Sequence, residues 1–452
     1  MTSGAADAAA ERETAAEPET AAEPETAAEP ETAAEPGAEQ AAGQPVESHA
    51  VPLLEPRDGM PPLIVTSEAL ASAVASLAAG EGPVAVDAER ASGFRYGHRA
   101  FLVQLRRQGA GTVLIDPVAC PDLAGLDTAL ADTEAVLHAA SQDLPCLAEL
   151  GYRPRRLFDT ELAGRLLGYP RVGLGALVEE VLGLSLEKSH SAADWSTRPL
   201  PEEWLRYAAL DVEVLVELRD ALAQQLEEQG KAEWARQEFN AVLTAGPPGA
   251  RQDPWRRTSG IHRVRTRRGL AIVRELWLER DKIAKRRDMS PTRVLTDVAI
   301  VEAARLTPGE PEDLSKIVGF NSRGARRHGS EWLRALRRAG AMPDRSLPLA
   351  SAPAGDGPPP AHRWHERDPE AARRLTAVRA VVAALADSHA LPAENLLAPD
   401  AVRRLSWQPP EPVTPEAVGA DLAGYGARPW QAEITALPIA RALLRILAKD
   451  ED

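Results

Sequence analysis

Between residues 63 and 160, short apolar runs alternate with turn residues. Val84-Ala-Val-Asp87 follows Gly82-Pro83 and reads as a strand. Phe101–Leu105 and Thr112–Asp116 are two more, with Gly109–Gly111 turning the chain between them. Ala135–His138 is a fourth, and Arg156–Phe158 a short extended piece. Helical spacing takes over around and after these, at Asp122–Leu130, Leu144–Leu150, Asp159–Leu167 and Leu174–Leu182. One long helix is predicted from Pro201 to about Gln229. Proline suits its first turn, and Glu202 and Glu203 face the positive end of its dipole. Residues 268–340 carry only helical periodicity, with Leu270, Val273, Leu276, Trp277 and Ile283 along one face. Residues 368–447 do so again, with Val378, Val381, Val382 and Leu385 on one face and a closing helix at Ile439–Leu447. Strands first and helices afterwards predict an α/β domain that layers a sheet with packed helices, followed by two small all-α domains.

The remaining segments divide these domains. Residues 1–60 hold Glu-Thr-Ala-Ala-Glu-Pro four times in succession from Glu13 to Pro36. Proline every sixth residue and the lack of large apolar side chains predict a disordered acidic tail. Residues 244–262 and the Pro-rich 343–367 read as linkers. The expected division is a tail at 1–60, an α/β domain at 61–243, a first helical domain at 263–342 and a second at 368–448.

Composition adds three restrictions. Two cysteines, Cys120 and Cys146, exclude a disulfide scaffold and a cysteine-rich zinc module, and they read as small buried hydrophobes in a reducing compartment. No run of 18 apolar residues and no basic-then-apolar leader is present. The expectation is a cytoplasmic protein with no membrane partner. The net charge of −15 is uneven: −12 over 1–60 and −11 over 61–250, but +11 over 251–345, where 23 basic residues meet 12 acidic ones. Such a basic block on an acidic chain points to polyanion binding, through Arg267, Arg268, Lys282 and Lys285 among others.

Three segments carry candidate chemistry. Asp87 and Glu89 close the first strand at positions i and i+2, so both carboxylates leave the same face. Like charges so placed call for a cation between them. Asp143 follows the fourth strand at a strand-to-helix junction, in His138-Ala-Ala-Ser-Gln142-Asp143. Tyr207 and Asp211 sit four apart on a helix and share a face. All can converge beyond the carboxyl ends of the strands. His138 is a weaker substrate-binding candidate, as are Lys188 and Arg198 in the polar loop before Tyr207. Asp159 reads as a helix N-cap, and Trp195 as packing.

These segments resemble motifs I, II and III of the DEDD 3′–5′ exonucleases, in the subclass whose third motif has tyrosine. Leu114-Ile-Asp-Pro117, Leu137–Leu144, Phe158–Ala163, Leu186–Ser189, Asp194-Trp195, Arg198–Leu200 and Tyr207–Val212 bring the chain close to the ribonuclease D family in particular. Arg274–Trp277, Arg280–Ala284, Ser290-Pro291 and Leu314–Val318 resemble the HRDC domain found in helicases and ribonuclease D. Residues 368–448, through Leu391-Pro392, Asn395–Leu397 and Trp430-Gln431, resemble a degenerate second copy. The resemblance implies a ribonuclease H-like exonuclease domain with a mixed sheet, followed by two small all-α HRDC-type domains. It implies that Asp87, Glu89, Asp143 and Asp211 hold two divalent ions, Mg²⁺ or Mn²⁺, and that Tyr207 orients the attacking water. The activity implied is hydrolysis of RNA from the 3′ end to nucleoside 5′-monophosphates by a monomer, with tRNA precursors or other structured RNA as substrate.

Two positions depart from the family pattern. Arg90 stands where an apolar residue usually follows the motif I glutamate, and Gln142 where glutamate is common in motif II. Two alternatives stay open from sequence. One is a DNA exonuclease of repair type, lowered by the lack of polymerase or helicase segments. The other is a non-catalytic nucleic-acid-binding protein on the same scaffold.

Overall fold

A computed structural model describes residues 50–187, 190, 192–246, 252–351 and 357–448. The repeat at 13–36 and Lys188 lie outside the described residues. Eight strands occur among them: β1 (Val51–Pro52), β2 (Leu63–Ile64), β3 (Glu81–Arg90), β4 (Ala100–Gln108), β5 (Gly111–Ile115), β6 (Glu134–Leu137), β7 (Arg156–Asp159) and β8 (Leu184–Ser185). Six form one sheet in the order β2-β5-β4-β3-β6-β7. β4 runs antiparallel to both its neighbours and the other pairings are parallel, which makes the sheet mixed. β3 lies inside the sheet, and Val84, Ala85 and Val86 are wholly buried. That is why its sequence reads as a continuous apolar run.

Helices α1 (Ser67–Ala79), α2 (Ala124–Ala129), α3 (Leu144–Glu149), α4 (Thr160–Leu167), α5 (Leu174–Leu182), α6 (Glu202–Glu213), α7 (Leu215–Glu228) and α8 (Ala232–Thr244) complete the first domain. The single helix expected from Pro201 to Gln229 is two. The helix is interrupted at Val214 (φ −103°, ψ −8°), which separates α6 from α7. Before that break, α6 is tied to the sheet by the buried Glu213 carboxylate, 3.1 Å from Arg106 on β4. After it, α7 buries Leu215, Leu218, Leu222 and Leu226. Helical periodicity continues through the break and does not record it. The tail expected to reach residue 60 also ends sooner, because Val51 and Pro52 pair in parallel with Leu184 and Ser185.

The first helical domain runs through α9 (Arg267–Arg287), α10 (Pro291–Val294), α11 (Asp297–Leu306), α12 (Pro311–Ser315), α13 (Arg323–Arg326) and α14 (Gly329–Ala341), around a core of its own that includes Leu276, Ile283, Ile300 and Trp332. The second contains α15 (Trp364–Arg367), α16 (Pro369–Ser388), α17 (Ala393–Leu396), α18 (Pro399–Trp407), α19 (Pro415–Gly424) and α20 (Pro429–Leu447). The closing helix therefore begins ten residues before Ile439. In both domains a long helix is followed by one short turn of helix and then a medium helix. Their packing differs. The second shares one continuous core with the α/β domain: Trp430 stacks on Trp234 of α8 at 4.7 Å and donates its indole N–H to Glu238 at 3.0 Å.

Candidate active site

β3 and α6 bring the acidic groups together. Asp87 and Glu89 pair across the ladder with Gln104 and Leu102 of β4, so both project from the face that α6 covers. Carboxylate oxygens of Asp87, Glu89 and Asp211 all lie within 4.8 Å of one another. Asp143 arrives by a different device. After β6 the chain turns through Ala139, which holds a left-handed conformation (φ 56°, ψ 49°) unusual for alanine. Asp159, at the end of β7, secures that turn. Its carboxylate accepts from the Ala139 N–H at 3.1 Å and the Ala140 N–H at 2.8 Å, while also capping α4 through the N–H groups of Glu161 and Leu162. The N-cap expected of Asp159 is thus half of its work; the other half aims motif II.

Asp87, Glu89, His138, Asp143, Tyr207 and Asp211 all line one cavity of about 440 Å³. Burial, reinforced by the surrounding carboxylates Asp87, Asp211 and Asp143, pushes Glu89 up to about 10. Burial and Asp87 push Asp143 up to about 8, against the opposing pull of Arg90. Burial raises Asp87 and Asp211 as well. Burial, and then Asp211, also raise the Tyr207 hydroxyl above its ordinary value. The oxygen Oδ1 of Asp143 is buried and accepts no hydrogen bond. Four oxygen-donor side chains gathered against their own repulsion fit hard divalent cations.

Arg90 and Gln142 touch each other. The Arg90 guanidinium donates to the Gln142 carbonyl at 2.7 Å and to its side-chain oxygen at 3.3 Å, and lies 3.3 Å from Asp143 Oδ1. His138 faces the same cavity. Its Nδ1 is 2.9 Å from the Thr160 hydroxyl, and burial holds the imidazole down to about 4, so it is neutral at physiological pH.

Three of the weaker substrate-binding candidates also make bonds within the protein. Arg198 has no donor left for RNA: its five N–H groups go to both Asp116 oxygens (2.8 and 2.8 Å) and to the carbonyls of Trp195, Thr197 and Phe101. Arg267 donates to the carbonyls of Leu347 and Pro348. Arg268 donates to the carbonyls that end α14, at Ala339, Gly340 and Met342, and pairs with Asp344. These arginines hold chain ends together. Lys282 and Lys285, in contrast, are exposed on α9. Cys120, Cys146 and Trp195 are buried, as packing groups.

Comparison with known proteins agrees with this geometry. Residues 62–227 match the family described as 3′–5′ exonuclease, 269–336 the HRDC domain, and 357–443 the 3′ to 5′ exonuclease C-terminal domain. A ribonuclease D of Gluconacetobacter diazotrophicus is 35% identical over 297 residues, covering 64% of this chain and 74% of that one. Ribonuclease D of Escherichia coli is 31% identical over 291 residues, covering 63% and 76%. Among solved structures, a protein from Bifidobacterium adolescentis matches with a TM-score of 0.80 and 40% identity, over 87% of this chain and 100% of that one. The structure of Escherichia coli ribonuclease D, described as an exoribonuclease involved in structured RNA processing, matches with a TM-score of 0.61 and 27% identity, over 86% and 99%. Domain order, sheet, acidic cavity and relatives agree, and the chain belongs to the ribonuclease D family of 3′–5′ exoribonucleases.

Proposed function

We propose that this exoribonuclease trims 3′ extensions of tRNA precursors or other structured RNA, in the cytoplasm and as a monomer, releasing nucleoside 5′-monophosphates. The observation that carries the reading is the convergence of Asp87, Glu89 and Asp211 within 4.8 Å, in a cavity that Asp143 and Tyr207 also line. Those four carboxylates would hold two divalent ions, Mg²⁺ or Mn²⁺. Bound there, the ions supply activation of a water and neutralisation of charge on the scissile phosphodiester. Tyr207 keeps its proton, since burial and Asp211 hold its hydroxyl above the ordinary value. Its part is to orient the attacking water by hydrogen bonding rather than to deprotonate it. Neutral His138 offers a further hydrogen bond within the cavity without adding charge. Attack at phosphorus breaks the bond to the preceding nucleotide's 3′ oxygen, which leaves as the new RNA 3′ hydroxyl.

The test is a product assay of the full chain on 3′-extended tRNA and on matched single-stranded DNA, with Mn²⁺ or Mg²⁺ and with EDTA. Nucleoside 5′-monophosphates should appear from RNA with ions and not with EDTA. Faster release from DNA would favour a repair-type nuclease. Binding without release under every condition would leave a non-catalytic RNA-binding protein.

A further inference from the structure

The loop joining β3 to β4, residues 91–99, begins directly after Arg90 and belongs to the α/β domain, yet it is fastened to the HRDC domain. The Tyr96 hydroxyl donates to Asp281 on α9 at 3.0 Å, and its backbone N–H donates to Asp288 at 3.3 Å. Arg99 reaches Asp288 at 3.2 Å and Arg95 at 3.9 Å. From α10, Arg293 donates to the Gly93 carbonyl at 3.0 Å and lies over the Phe94 ring at 4.0 Å. The Ser290 N–H donates to the Phe94 carbonyl at 2.9 Å. Asp288 is itself informative. It ends α9 in a left-handed conformation (φ 47°), where the negative end of the helix dipole disfavours a carboxylate. Arg95 and Arg99, both from the loop, supply the compensating charge.

The fastened loop is also a wall. A second cavity, of about 420 Å³, is lined by Glu89, Arg90, Ser92, Phe94, His98 and Ala193, and it shares Glu89, Arg90 and Gln142 with the acidic cavity. Its opposite side is the segment leading into α6 and Tyr207, to which the loop is joined by Arg95 donating to Ser196 at 2.7 Å.

We propose that the HRDC domain, through Asp281, Asp288 and Arg293, positions loop 91–99 as the wall against which the RNA 3′ end is seated beside the acidic cluster. These are positioning residues, and the proposal rests on the exoribonuclease reading above. It gives the domain a part in catalytic geometry in addition to capture of RNA. A domain acting by capture alone raises KM for long RNA and leaves short substrates untouched. A domain that sets the wall lowers kcat even for a trinucleotide.

The experiment compares wild type with the double variant Asp288→Asn, Arg293→Ala, in which asparagine tolerates the left-handed position. Measurements are kcat and KM on a trinucleotide and on 3′-extended tRNA, with hydrogen exchange of residues 91–99. We expect lost protection in the loop and a fall in kcat on the order of tenfold on both substrates, with KM for the trinucleotide little changed. Asp281→Asn, which keeps an acceptor for Tyr96, should stay near wild type, while Asp281→Leu should follow the double variant. Lys282→Ala with Lys285→Ala should change KM on tRNA alone. Unchanged kcat on the trinucleotide, or unchanged loop protection, overturns the positioning role. Wild type inactive on every RNA would instead overturn the exoribonuclease reading, and hydrogen exchange would still decide whether the loop is held.

Discussion

Arg90 donates two hydrogen bonds to Gln142, 52 residues away, and the same guanidinium lies 3.3 Å from the carboxylate of Asp143. That interaction joins the strand that carries Asp87 and Glu89 to the turn that carries Asp143. Arg90 places a fixed positive charge beside a group that would ligate a cation. Replacing it with phenylalanine should tighten Mn²⁺ binding by several-fold, because a nearby like charge is removed. Titration calorimetry on the metal-free protein reads this directly, and weaker Mn²⁺ binding would mean that Arg90 acts by holding Asp143 in place.

Tyr207→Phe removes one hydroxyl from a half-buried ring and leaves Asp211 as an oxygen donor. Metal affinity and thermal stability should survive. The loss should fall on kcat, on the order of tenfold to a hundredfold, and not on KM, since orienting a water matters mainly in the transition state. Steady-state kinetics on a short RNA separates the two constants. Normal kcat with raised KM would make Tyr207 a substrate contact.

The clasp between Arg198 and Asp116 should show in stability and not in RNA binding. Burial raises the Asp116 carboxyl, but the hydrogen bonds and charge of Arg198 outweigh it, and the net direction is downward. A depressed carboxyl contributes stability above its unfolded value of about 4, and the contribution is lost as pH falls through the folded value. Asp116→Asn should therefore cost about 1.5–3 kcal/mol at pH 7, the range for hydrogen bonds to charged groups. The gap from wild type should close below about pH 4. Urea unfolding across pH 3–7 measures it. A gap independent of pH would mean that shape, not charge, holds the clasp.

What the sequence made legible is what has a period or a fixed spacing. Asp87 and Glu89 two apart on a strand, and Tyr207 and Asp211 four apart on a helix, predict shared faces, and the structure brings them to one cavity. Asp159 was legible as a cap because that bond is local. Its hold on Ala139 and Ala140 was not, since it spans 20 residues and depends on β6 lying beside β7. The same limit explains Arg198, Arg267 and Arg268. Each looks like any other basic residue in a polar stretch, and only the distant carbonyls and carboxylates that take up its donors show it to be a staple. The break at Val214 was hidden because apolar spacing continues through it.

The basic block can now be divided by which charges are free to meet phosphate. Arg267 and Arg268 carry two of its positive charges and also tie the chain: Arg267 donates two N–H groups to the carbonyls of Leu347 and Pro348 while staying exposed, and Arg268 donates to carbonyls of 339–342 and to Asp344. Lys282 and Lys285 are exposed three residues apart on α9, so they lie on neighbouring positions of one helix surface. Contacts of this kind are salt-sensitive, because each phosphate neutralised releases condensed counterion, at about 0.7 per contact for single strands. Lys282→Ala with Lys285→Ala should weaken binding of 3′-extended tRNA and flatten the slope of log affinity against log salt by about 1.4–1.8. Folding should be unaffected. Arg268→Ala should do the opposite, lowering the melting temperature by uncapping the last turn of α14 while leaving the salt slope near wild type once the protein is folded. Filter binding across a salt series, paired with thermal unfolding of each variant, distinguishes the two. An unchanged slope in the lysine variant would mean that RNA is captured elsewhere than on α9.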